Sequence, residues 1–269
     1  MSDPTPLRLM TLNIAHGRGL SPYQGFHSAK SIDRNLNRIA HLLRRVDADV
    51  VALQEVDEDS HWNKRIHLLN VLQERSGYEG GYLGVHNRRA GRLPLAYGNG
   101  MLTRFAIRHA EHQAFGRASL GEKGFMCAEL ETEQGILPVI NLHLDFKSRL
   151  RRIEQVERLI LFLEKKHYTS DMKPHLSPII CGDFNARQGK RTDAVRHLFA
   201  YLLDTLDYRL FPETKSRTFP SLLPTHGFDF FFIPPNYPVR DCRVLRSFVS
   251  DHRPVVLEVD LPARSANAV

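Results

Sequence analysis

Short, nearly unbroken apolar runs recur along this chain, and most of them stop at a polar residue. Leu7-Arg8-Leu9-Met10-Thr11-Leu12 runs into Asn13, and Val50-Val51-Ala52-Leu53-Gln54 into Glu55. Val139-Ile140-Asn141-Leu142 runs into His143, and Ile179-Ile180-Cys181-Gly182 into Asp183. Runs this short are strands, and strands apolar on both faces must be covered on both. Gly100–Thr103, Phe125–Leu130, Phe228–Ile233 and Pro254–Asp260 extend the set. Ile32, Leu36, Ile39, Leu42 and Leu43 recur at helical spacing and predict a helix from Ser31, its expected N-cap, to Val46. Ile153, Val156, Leu159, Ile160 and Leu163 predict another over Arg149–Lys165. The expected architecture is two sheets packed face to face with helices outside, forming one domain over residues 1–262 with a flexible tail at 263–269.

Composition narrows the class of protein. An apolar fraction of 42% and a charged fraction of 25% are those of a globular protein, not a disordered one. No segment reaches the ~18 apolar residues of a membrane span. The N-terminus lacks a basic stretch followed by an apolar core, so no secretory signal is read and a cytoplasmic location is expected. Three cysteines make a disulfide framework improbable, and Cys127 and Cys181 are expected as small buried residues. The net charge of +7 favours anionic partners, either nucleic acid, phospholipid surfaces or phosphorylated small molecules, without choosing among them.

The strand-end residues have a common chemistry. Glu55, Asp183 and Asp251 are carboxylates, and Asn13 and Asn185 are carboxamides. Hard oxygen donors suit Mg²⁺, or Mn²⁺, and not zinc. His143 and His252 add groups that move protons near neutral pH. With no nucleophilic Ser or Cys motif, the set points to metal-assisted attack of water on phosphorus. Basic clusters at Asn87–Arg92, read as a flexible loop, and at Lys147–Arg152 are candidate phosphate contacts, Arg149 among them.

Six segments, in order, resemble the endonuclease/exonuclease/phosphatase superfamily: Thr11-Leu12-Asn13, Leu53-Gln54-Glu55-Val56, Gly98-Asn99-Gly100-Met101-Leu102-Thr103-Arg104, Asn141-Leu142-His143-Leu144, Gly182-Asp183-Phe184-Asn185 and Ser250-Asp251-His252-Arg253-Pro254. The resemblance implies a four-layer α/β/β/α sandwich of two mainly antiparallel sheets. It implies Glu55 as the main Mg²⁺ ligand with Asn13 and Asp251 in support, and Asp183 orienting or deprotonating the attacking water. Asn185, His143 and His252 would meet the scissile phosphate, and Asp229 would orient His252. Arg217-Thr218-Phe219-Pro220-Ser221, Pro224 and Asp229 resemble a bacterial branch of small members.

Two departures bear on substrate. The loop tyrosine of abasic-site endonucleases has no counterpart. Asn99, a candidate substrate contact, falls where pancreatic-type deoxyribonucleases have a Glu beside the first histidine, a substitution similar to that of sphingomyelinase-like members. The first disfavours abasic-site endonuclease activity, and the second shifts the expectation slightly from the deoxyribonuclease pattern towards other phosphodiesters, phospholipid headgroups included. A lipid substrate calls for an apolar loop rim, for which Ile233–Pro238 is the candidate. The alternatives are a phosphomonoesterase and a non-catalytic phosphate-binding scaffold.

Overall fold

A computed structural model describes residues 5–116, 121–169, 176–186, 194–213 and 216–262, so the expected tail at 263–269 lies outside the described residues. Six strands form one sheet: β1 (Leu7–Asn13), β2 (Val50–Asp57), β3 (Gly80–Arg89), β4 (Leu95–Thr103), β11 (Val239–Val244) and β12 (Val255–Val259), in the order β11-β12-β1-β2-β4-β3. Six form the other: β5 (Ile107–Ala114), β6 (Gly124–Thr132), β7 (Gly135–His143), β8 (Ile179–Asp183), β9 (Arg209–Phe211) and β10 (Asp229–Ile233), in the order β5-β6-β7-β8-β10-β9. Helices α1 (Ala29–Val46) and α2 (Leu68–Ser76) pack on the first sheet, and α3 (Arg149–Thr169) and α4 (Ala194–Leu206) on the second. This is the α/β/β/α sandwich.

Three apolar layers hold it together, and they explain why the central runs lack alternation. On β1, Met10 and Leu12 face α1, as does Ile14 just beyond it, while Leu7 and Leu9 face the other sheet. On β8, Ile180 faces the second helix layer and Ile179 and Cys181 the space between sheets. Cys127 and Cys181 are buried, as expected.

Each sheet contains a parallel pair, β1–β2 and β7–β8, with antiparallel neighbours around it. Parallel strands end at the same edge, so both pairs deliver their terminal residues to one end of the sandwich. In the second sheet the register sets His143 beside Asp183, and Asp183 beside Asp229. In the first it sets Asn13 beside Gln54. A bulge follows there, and Glu55, at φ +56°, is re-aimed out of the ladder.

A polar bridge under this end ties the sheets together. Asn141 Nδ2 donates to the carbonyls of Leu53 (2.8 Å) and Gly100 (2.9 Å) across the interface, and Asn141 Oδ1 accepts from Gln54 Nε2 (2.7 Å). Asn141→Leu removes all three bonds at a fully buried position, leaving Gln54 Nε2 with Thr11 Oγ1 and the Ala52 carbonyl. That variant is expected to lose about 3 kcal/mol of stability, read by urea denaturation.

The sequence reading does not mark strands β3, β5, β9 and β11 or helices α2 and α4, and four features that it does mark differ. The N-cap of α1 is Ser28, whose hydroxyl accepts from the Ser31 amide, so the helix starts two residues before Ser31. Residues 87–89 end strand β3 and do not form a loop. Helix α3 runs on to Thr169. Ile233–Pro238 lies at the far end of β10, with Tyr237 wholly buried and bonded to the Ser177 carbonyl, so it forms no rim to the strand-end residues.

On β3, His86 is 5% exposed, and neither ring nitrogen has a partner among the described residues. Burial, then the nearby His112 and Lys123, push its pKa down to about 3. His86 is therefore neutral in the fold, and protons bind the unfolded chain preferentially. Its contribution to stability is complete above about pH 6.5 and declines as pH falls towards about 3. His86→Phe is expected to flatten that acid limb, sparing about 2 kcal/mol of the loss between pH 7 and pH 4.5 in urea melts.

Candidate active site

The strand-end residues converge on one carboxylate oxygen. Asp183 Oδ2 accepts from Asn13 Nδ2 at 3.0 Å, with His143 Nε2 at 3.4 Å and His252 Nε2 at 3.6 Å. Asp183 Oδ1 accepts from the Asn185 amide at 3.0 Å. Asp183 is 1% exposed. Burial raises its pKa, against the pull of the His252 charge, and nearby Asp229 raises it further. A carboxylate whose proton affinity is lifted in this way suits proton transfer near neutral pH.

The chain turn that presents Asp183 needs a glycine. Gly182 sits at φ +141°, and a Cβ there would lie 2.0 Å from the Leu142 carbonyl oxygen. Asn185 follows at φ +48°, which brings its Nδ2 within 3.1 Å of His143 Nε2 and 3.0 Å of the Leu144 carbonyl. The Gly-Asp-Phe-Asn turn thus aims two polar side chains at His143, while Phe184 is buried against Phe230 and Phe232.

His252 is held from behind. Its Nδ1 lies 3.0 Å from Asp229 Oδ2, and Asp229 is fully buried among phenylalanines. Burial disfavours charge on His252, but Asp229 and then Asp183 outweigh it and raise the pKa. The Phe219 ring packs 4.9 Å from the imidazole. Residues 218–221 brace the loop, with the Arg253 amide on the Thr218 carbonyl and the Ser221 amide on the Asp251 carbonyl. His143 differs: burial, then Lys123, hold it well below the ordinary histidine value, so it is neutral.

Glu55 faces the same space from the first sheet. Its carboxylate lies 3.5 Å from both His16 Nε2 and Lys123 Nζ. Burial would raise its pKa, but His16 and Lys123 carry it far below the usual carboxylate range. His16 is itself bonded to Asp57 at 2.9 Å, and Asp57 accepts from Trp62 Nε1 at 2.9 Å. Burial opposes charge on His16, yet Asp57 and Glu55 raise its pKa.

A hard divalent cation fits Glu55 in this setting. The carboxylate is ionised, and its basic neighbours stand at 3.5 Å, one at each oxygen, far enough to leave lone pairs for a hard cation. Asn13 lies at the adjoining strand end, but its Oδ1 accepts from the Ala15 amide (2.9 Å) and its Nδ2 serves Asp183. Asp251 is turned to Arg18 at 2.8 Å. Among the described residues, the trio of acidic and imidazole groups with ligand atoms within 4.8 Å of one another is Asp183, Asp229 and His252. His252 is hydrogen-bonded to Asp229, and Asp183 to Asn13 and Asn185, so groups of the chain already engage these atoms.

Two expected substrate contacts lie further out. Asn99 is buried with its amide on the carbonyls of Gly124 (3.0 Å) and Asn141 (3.2 Å), beneath His143. The group at His143 Nδ1 is Lys123 Nζ, at 3.3 Å. Arg149 is exposed on the first turn of α3. Lys123, His16 and Asp57 belong to the site without having stood out in the sequence; the one available signal was that Asp57 follows Glu55 by two residues, on the same strand.

A two-sheet sandwich with carboxylates, carboxamides and two histidines at one end defines a class of phosphoester hydrolases. The sequence profile of the Endonuclease/Exonuclease/phosphatase family matches residues 10–252, and the chain belongs to that family. Its members hydrolyse phosphoester bonds and are generally dependent on a divalent metal. No curated protein shows significant similarity to the sequence. Solved structures share the fold at low identity. An endonuclease/exonuclease/phosphatase family protein from Bacteroides thetaiotaomicron is 17% identical with a TM-score of 0.68, covering 97% of this chain and 100% of its own. A mannosyl-6-phosphatase from the same organism is 18% identical with a TM-score of 0.67, covering 95% and 100%. The human Nocturnin catalytic domain with bound sulfate is 19% identical with a TM-score of 0.66, covering 95% and 94%.

Proposed function

We propose that the chain is a Mg²⁺-dependent phosphodiesterase in which Asp183 takes the proton of the attacking water. The observation that carries this is the convergence of Asn13, His143 and His252 on Asp183 Oδ2, beside an ionised Glu55. As the water oxygen bonds to phosphorus, its proton passes to Asp183, the ester P–O bond breaks and the leaving oxygen is protonated from solvent. His252, kept charged by Asp229, stabilises the negative charge that grows on the phosphate. Asn185 and neutral His143 orient a non-bridging oxygen, and Arg149 meets the substrate outside the cleft. Glu55 would hold Mg²⁺, or Mn²⁺, with Asn13 and Asp251 as further oxygen donors beside the bonds they already accept from the Ala15 amide and Arg18. When bound there, such an ion would supply Lewis-acid stabilisation of the phosphate oxygens.

The test is turnover of bis-p-nitrophenyl phosphate, p-nitrophenyl phosphate, plasmid DNA, RNA and sphingomyelin in parallel, with Mg²⁺ and with EDTA. Metal-dependent cleavage of the diester is expected. Preference for the monoester would favour a phosphatase instead, the activity named for one of the similar structures. No turnover of any substrate would leave the non-catalytic scaffold reading.

A further inference from the structure

The rim of the site is apolar, basic and made of three separate segments. Among the described residues, all the exposed large hydrophobic side chains except Leu161 lie at the end of the sandwich that carries the site. Three pairs dominate: Tyr23 with Phe26, Phe146 with Leu150, and Leu222 with Leu223. Phe26 is 87% exposed and Leu223 79%. Isolated exposed apolar residues need no explanation, but their confinement to one end does.

Each pair is fastened to the site. Tyr23 and Phe26 are in ring contact, and Gly25 between them lies against Trp62, which bonds Asp57. The start of that loop is tied to Asp251 through Arg18. Phe146 follows His143 by three residues, and buried Asp145 fixes the turn by accepting from the Lys147 and Ser148 amides. Leu222 follows Ser221, whose amide is bonded to the Asp251 carbonyl.

The charge on these segments is one-sided. Residues 15–30, 144–152 and 216–228 hold seven basic residues and one acidic residue, Asp145; Arg18 is paired with Asp251 and Arg152 is buried, and the other five, Lys30, Lys147, Arg149, Arg151 and Arg217, are exposed. Lys147 Nζ lies 5.1 Å from the centre of the Phe146 ring, so ammonium and aromatic side chain project together. Apolar tips among basic residues are what an anionic bilayer surface takes up: tips enter the acyl boundary and cations meet headgroup phosphates. Nucleic acid would use the cations, but aliphatic pairs such as Leu222–Leu223 offer a base neither stacking nor hydrogen bonds.

We infer that this end of the molecule docks on an anionic phospholipid surface and that the phosphodiester it cleaves is a phospholipid headgroup. The docking stands on the rim alone; the substrate class rests on the phosphodiesterase reading.

The two are separated by measuring binding in EDTA. Wild-type protein is expected to sediment with phosphatidylglycerol/phosphatidylcholine vesicles, less at high salt, and not with phosphatidylcholine alone. The triple variant Phe26→Ser/Phe146→Ser/Leu223→Ser is expected to bind roughly tenfold or more weakly. It should cleave bis-p-nitrophenyl phosphate as the wild type does, which also shows that it is folded. Lys147→Glu/Arg217→Glu gives an independent loss of binding should the triple variant not fold. Absence of vesicle binding, or full binding by both variants, overturns the docking. So does duplex DNA bound more tightly than vesicles through the same residues, or a wild-type dimer that the triple variant dissociates. With Mg²⁺, phosphatidylglycerol in the vesicles should be cleaved, and less so by the triple variant. Vesicle binding without any diester cleavage would leave the docking and remove the phosphodiesterase reading. Cleavage of the soluble diester with none of the lipid would remove only the lipid substrate.

Discussion

Asp183→Asn is expected to lower kcat/KM for bis-p-nitrophenyl phosphate by roughly a thousandfold. The amide cannot accept the water proton. Nor can it satisfy the donors that meet at Oδ2, because Asn13 Nδ2 at 3.0 Å would face another NH₂ group. Rotating the amide only moves the conflict to the Asn185 amide, which donates to Oδ1. The loss should fall on kcat, with KM little changed, because Asp183 is buried behind the histidines and acts on the water more than on substrate binding. A parallel Asp229→Asn variant should lose less, since it alters the charge on His252 and leaves the proton acceptor in place. Circular dichroism melts verify folding. Asp183→Asn activity within about tenfold of wild type would refute the assignment of the proton acceptor.

The centre of this site was legible in the sequence and its flanks were not, for physical reasons. The central strands β1, β2, β7 and β8 are covered on both faces, so they are apolar throughout, and the residue that ends each one stands out. Asp229 was legible through the family resemblance, and its place beside three consecutive phenylalanines agrees with it, because a carboxylate there requires a partner. Strands β3, β5, β9 and β11 were missed. They are the edges of the two sheets, short or half-exposed and rich in polar residues, so they lack both an apolar run and clean alternation. Lys123 precedes β6 with no motif around it, and only the pairing of β6 with β7 brings it to His143. His16 follows a strand end by three residues and looks like any loop histidine until the fold sets Asp57 and Glu55 beside it. The apolar rim was expected as a property of one segment. It arises from three, and no local pattern in the chain links them.

Glu55→Gln is expected to weaken Mg²⁺ binding by roughly a hundredfold. Glutamine keeps the size and one carbonyl oxygen but removes the charge, which is the main attraction for a hard cation in a partly buried place. The residues around Glu55 make the loss worse. In the wild type its carboxylate offsets His16 and Lys123, each 3.5 Å away; in the variant these basic groups face the ion without a counter-charge. Asp251→Asn should cost less, because Arg18 already draws on that carboxylate at 2.8 Å. The measurement is the rise in melting temperature on titrating Mg²⁺ or Mn²⁺, which reports binding without any turnover. A clear rise in the wild type, little in Glu55→Gln and an intermediate rise in Asp251→Asn would rank the two carboxylates as the geometry does. An undiminished rise in Glu55→Gln would move the cation elsewhere in the cleft, and the trio of Asp183, Asp229 and His252 would then be the set to substitute next.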